Sequence, residues 1–71
     1  MKILQYITNT CKGTVLFYHE VDDNDRTKLI GYVVAISDRV NDSYGEYEFG
    51  LQEHFIAKKK FDDLVNIIQP K

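Results

Sequence analysis

Apolar and polar residues alternate along most of this 71-residue chain, and only its last quarter changes period. Residues 2–9 (KILQYITN) put Ile3 and Ile7 on one side of an extended segment and Leu4 and Tyr6 on the other, a short strand. Asn9 to Gly13 supplies turn residues. Residues 14–21 (TVLFYHEV) are β-branched and aromatic and apolar on both sides, with Val15, Phe17 and Val21 against Leu16 and Tyr18. A strand of that kind is covered on both faces, by a helix, a second layer or a partner. Asp22-Asp23-Asn24-Asp25 then signals a turn into a second rich strand, residues 28–37 (KLIGYVVAIS). The two runs and their acidic turn predict a hairpin.

Asp38 to Gly45 reads as a polar loop. From Tyr44 the alternation is clean: Tyr47, Phe49 and Leu51 point one way and Glu46, Glu48 and Gln52 the other. This predicts a half-exposed strand with its glutamates on the wet face. Its end is open, because Phe55 keeps the parity while Gly50 can bulge or break it. In the tail, Phe61, Leu64, Val65 and Ile68 stand at i, i+3, i+4 and i+7, the stripe of an amphipathic helix, and Pro70 follows where that helix should have ended. The order β-β-β-β-α predicts an α+β fold: one antiparallel sheet of about four strands with the C-terminal helix packed on one face. Residues 1–71 form a single domain with no repeat or linker.

Length changes this picture first. A chain this short buries only about 60% of its unfolded surface, so a partner subunit would help it, and a homodimer is expected. Cys11 is the only cysteine, which rules out an internal disulfide and suits a reducing compartment. No apolar run is long enough for a signal peptide or a membrane span, so a cytoplasmic protein is expected.

Charge changes it more. Nine of the eleven acidic residues fall between Glu20 and Glu53: Glu20, Asp22, Asp23, Asp25, Asp38, Asp42, Glu46, Glu48 and Glu53. Only Arg26, Lys28 and Arg39 offset them, while the flanking segments are basic and the total is −2. An acidic middle attracts basic partners and repels nucleic acid and anionic lipid.

Candidate chemistry is sparse. Cys11, His19 and His54 are the only soft ligands and have no zinc-site spacing, so no metal is expected. Asp22 to Asp25 would begin a calcium loop, but Thr27 stands where its glycine belongs and Val33 where its glutamate belongs. There is no nucleophile elbow and no glycine-rich phosphate loop, so neither a catalytic residue nor a cofactor is expected. Lys58-Lys59-Lys60 could touch phosphates, yet Asp62 and Asp63 follow at once, and a solvated first helical turn is the plainer reading. Of the five tyrosines, Tyr6, Tyr18 and Tyr32 read as core or edge of core, whereas Tyr44 beside the polar loop reads as exposed.

The acids themselves form the candidate site. Glu46 and Glu48, two apart on a strand, project from one face roughly 6.6 Å apart. In a meander, Asp22, Asp23 and Asp25 mark one end of the sheet, and Asp38 and Asp42 mark the other. With Glu20, Glu53 and the exposed Tyr44, these residues would string negative charge along the molecule, as a nucleic-acid backbone does. Small size, a lone cysteine, the lack of catalytic motifs and acids strung through Glu20–Glu53 together resemble the acidic DNA-mimic proteins with which lytic phages disable host DNA-binding proteins, including the nucleoid protein HU. The resemblance is one of general character and has no diagnostic motif. It implies a dimer in the host cytoplasm that occupies the DNA-binding groove of a basic protein, with no direct contact to nucleic acid. It also requires Lys58–Lys60 to face away. Two other readings use different residues: a nucleic-acid-binding regulator built on Lys58–Lys60, and an oligomeric adaptor that uses an apolar strand face.

Overall fold

A computed structural model describes residues 1–69. Four strands, β1 (Lys2–Thr10), β2 (Gly13–Val21), β3 (Leu29–Asp38) and β4 (Ser43–Gly50), form one antiparallel meander in the order β1-β2-β3-β4. One 3₁₀ turn (Leu51–Glu53) leads into helix α1 (His54–Ile68), which packs back on β2 and β3. The fold is α+β. Pro70, the expected helix stop, lies outside the described residues.

The turns follow their side-chain chemistry. Between β2 and β3, Asp22 accepts from the Asn24 backbone N–H at 2.8 Å and Asp25 accepts from that of Thr27 at 3.0 Å. The Asp22 N–H donates to the Lys28 carbonyl at 2.9 Å and closes the hairpin. Between β3 and β4, Asp38 accepts from the N–H groups of Val40 and Asn41 and from the Asn41 side chain. Asp42 follows at φ 52°, a left-handed conformation that aspartate tolerates better than most residues.

One sheet face carries the core. Val15 and Phe17 of β2 and Tyr32, Val34 and Ile36 of β3 pack against Ala57, Phe61, Leu64 and Ile68 of α1. Phe17 is the hub, with its ring centroid 5.6 Å from Tyr6, 5.9 Å from Tyr32 and 6.1 Å from Phe61. Burying this apolar surface is the main favourable contribution to folding.

Three expectations are corrected. Ile3 and Ile7 do not share a face: a bulge between Leu4 and Tyr6 shifts the register, pairing Tyr6 with Phe17 on the helix side and Ile7 with Leu16 on the other. One extra residue reverses side-chain parity, and the Tyr6 ring gains packing against Phe17 and Phe61 in exchange. Leu51 leaves the alternation that holds for Tyr47 and Phe49, because the strand ends at Gly50 and Leu51 turns outward. The helix starts seven residues before the apolar stripe does, so Lys58–Lys60 lie in its second turn rather than its first. The 3₁₀ turn that leads into it is closed by Glu53, whose carboxylate accepts from the Gly50 N–H at 2.8 Å. Phe55 is consequently helical and 90% exposed.

Candidate partner-binding surface

Among the described residues, nothing forms a second layer on the sheet face away from α1. Register places Leu4, Tyr18, Val33 and Glu48 in one row across it, and Ile7, Leu16, Ala35 and Glu46 in the next. Glu20 stands beside Lys2 at one end, and Tyr44 pairs with Ser37 toward the other. Val33 and Ala35 are only 3% and 1% exposed although no helix covers them. Their neighbours close over them. The Lys2 side chain passes above the Tyr18 ring, 5.8 Å from its centroid, and ends 3.3 Å from Glu46 on the far edge strand. The Tyr44 hydroxyl donates to the same carboxylate at 3.0 Å. These two donors hold the Glu46 carboxyl below its usual range, and their hydrogen bonds to that carboxylate raise the pKa of Tyr44 and of Lys2. The open face is therefore apolar at its centre, with the carboxylates of Glu20, Glu46 and Glu48 and the ammoniums of Met1 and Lys2 around it.

The ten residues expected to form the site fall into distinct groups. Glu20, Tyr44, Glu46 and Glu48 share the open face. Asp22, Asp23 and Asp25 sit at the β2–β3 end, and Asp38 and Asp42 at the opposite end. Glu53 belongs to neither group, since it lies at the start of α1 and is engaged there.

Several of these acids hold the fold together. Asp22 and Asp25 close turns, and Asp38 is 8% exposed and bonded three ways. Asp23 lies 2.7 Å from the Met1 ammonium, which holds its carboxyl below the usual range. Oε2 of Glu20 is enclosed, 3.5 Å from the same ammonium, without a hydrogen bond of its own. The acids left without a hydrogen bond or ion pair among the described residues are Asp42 and Glu48. Sequence spacing carried part of this signal: Asp-x-Asn and Asp-x-Thr are side-chain-capped turns, and Gly50-x-x-Glu53 is a helix start. Lys2 as the counter-charge of Glu46, 44 positions away, had no such signal.

Asp38 gives a measurable consequence. Hydrogen bonds from Asn41 and Val40 keep its carboxyl below the usual range. A depressed folded-state pKa adds stability above the unfolded-state value, and that stability is lost as pH falls through the folded-state value. Asp38→Asn should lower the thermal midpoint at pH 7 by about 5 °C. Between pH 4 and pH 2 its midpoint should fall less steeply than the wild type's. Parallel slopes in thermal melts at the two pH values would contradict this role.

The lysines of α1 are on the other side of the sheet. Lys58 pairs with Asp62 at 2.9 Å and Lys59 with Asp63 at 3.1 Å. Lys60 sits over the Tyr47 ring, 4.2 Å from its centroid, and Lys58 lies 5.6 Å from the Tyr6 centroid. These rings flank the helix, one on each edge strand.

No protein-family model, curated protein or solved structure matches this chain.

Other chemistry has little geometry to use. Among the described residues no three His, Cys, Asp or Glu side chains are grouped to hold a metal, and no pocket opens. His19 and His54 each pack edge-on against Tyr32, at 5.6 and 5.1 Å between ring centroids, and Cys11 is exposed in the β1–β2 turn. No helix among the described residues is long and apolar enough to cross a membrane. Tyr6 and Tyr44 are 51% and 66% exposed, so Tyr6 is wetter than its strand pattern implied, while Tyr32 is buried.

Proposed function

We propose that this is a non-enzymatic binding protein that sets its acidic sheet face against the basic groove of a DNA-binding protein and excludes DNA from it. The inhibitors it resembles act in that manner. One observation carries the reading: the Lys58–Lys60 run belongs to α1, behind the sheet, where Lys58 and Lys59 are paired with aspartates. That placement supports the reading, which needs these lysines to face away from the acidic face. The excess of carboxylates over ammoniums around this face attracts a basic groove over a range set by the Debye length. Glu48, and Glu46 in exchange for Lys2, would meet lysines and arginines placed for phosphates. The same helical ion pairs weaken the case for nucleic-acid binding, which needs free cations. The action would be cytoplasmic, and a homodimer fits provided that the open face remains accessible.

The test is capture by the immobilised protein from bacterial lysate, with and without excess duplex DNA. Recovery of a basic DNA-binding protein only when DNA is absent is the expected result. Capture should fall at least about tenfold for the Glu46→Lys, Glu48→Lys double variant and should weaken with added salt. Capture indifferent to competitor DNA and to charge reversal would overturn the proposal.

A further inference from the structure

We propose that the free edge of β4 is a strand-addition site for an extended basic segment of a partner protein. This deepens the acidic-face reading and rests on it. The two edges of the sheet differ. The β1 edge is interrupted by the bulge between Leu4 and Tyr6, the Gln5 side chain donates to the Ile3 carbonyl, and the Thr10 carbonyl accepts from Arg39. Bulges and side-chain caps of this kind block further strand pairing. The β4 edge has neither. Its register with β3 runs unbroken from Ser43 to Gly50, and no side chain among the described residues bonds to the backbone of residues 43–49. Alternate N–H and C=O groups of an antiparallel edge strand point outward, ready for another strand.

The side chains select the occupant. Tyr44, Glu46 and Glu48 line the open-face side of β4, while Tyr47 and Phe49 line the helix side with Lys60 over the Tyr47 ring. An added strand would set lysine or arginine beside Glu48, which has no hydrogen bond or ion pair among the described residues, and beside Glu46 in exchange for Lys2, with apolar residues beside the aromatic rings. A second copy fits poorly, because antiparallel β4–β4 pairing would bring the glutamates of both copies together, and opposed like charges destabilise a sheet. Main-chain bonds would supply affinity and the alternating side chains specificity, as in other strand additions.

A capped peptide of alternating lysine and valine, about eight residues long to match β4, tests this by NMR on the intact protein. Exchange of alternate β4 amides should slow by roughly tenfold with the peptide, and a glutamate–valine peptide should have no effect. Shifts confined to Leu16, Tyr18 and Val33, without new β4 protection, would place binding on the face and overturn the edge assignment. Protection that rises with protein concentration alone would mean a second copy is the occupant, and would also overturn it. DNA-sensitive capture from lysate is read separately, so it can succeed where the peptide fails.

Discussion

Phe17→Ala should remove about 3–5 kcal/mol of this protein's stability, a third of it or more. Phe17 is fully buried, and its ring lies within 6.3 Å, centroid to centroid, of Tyr6, His19, Tyr32, His54 and Phe61. It joins β1, β2, β3 and α1, so the cavity left by alanine borders each of them. Removing a buried phenylalanine costs about 3–5 kcal/mol, from lost transfer energy and lost contacts. A domain of this length has roughly 4–10 kcal/mol in total, at 0.05–0.15 kcal/mol per residue. Urea unfolding followed by circular dichroism gives the comparison. Phe55→Ala is the control, because Phe55 is 90% exposed and its removal should change stability by no more than about 0.5 kcal/mol. Equal midpoints for the two variants would mean that the aromatic hub does not hold the layers together.

Gly13→Ala should also destabilise, by about 1–3 kcal/mol, although it adds only a methyl group. A Cβ at this position would lie 2.4 Å from the Ser37 carbonyl oxygen and 2.9 Å from Cγ2 of Ile68. The first obstacle is β3 backbone, which cannot move without breaking the ladder. The second is a core side chain at the end of α1, which is 2% exposed. Elsewhere, glycine to alanine can stabilise by restricting the unfolded chain. Gly45→Ala provides that contrast, since a Cβ there would meet Tyr47 and Ile36 only at 3.7 Å and beyond, ordinary contact distances. Urea midpoints should place the Gly13 variant well below wild type and the Gly45 variant near it. A Gly13 variant as stable as wild type would mean that β3 and the end of α1 shift to make room.

Element type and order were legible because each depends on neighbours in sequence. Alternation at Glu46, Tyr47, Glu48 and Phe49 is alternation about a strand axis, and the Asp22–Asp25 run closes its turn through its own side chains. Helix length was harder to read. The stripe from Phe61 marks only the part of α1 that buries large side chains, while the first turns carry Phe55 and Ile56 outward and bury only Ala57. The bulge in β1 left no local mark, since its benefit is the contact of Tyr6 with Phe17 and Phe61, 11 and 55 positions away.

The candidate site divides along the same line. Composition and spacing alone concentrate negative charge between Glu20 and Glu53 and assign Glu46 and Glu48 to one face of a strand. Which of those charges remain free depends on folding. Asp38 is drawn into its turn, Glu53 into the 3₁₀ turn before α1, and Glu46 to Lys2 across the whole sheet, which leaves Asp42 and Glu48 without a hydrogen bond or ion pair among the described residues. The physical reason is range. Side-chain period and turn chemistry act over a few residues along the chain, whereas a carboxylate's partner is whichever donor the fold brings within about 3 Å of it.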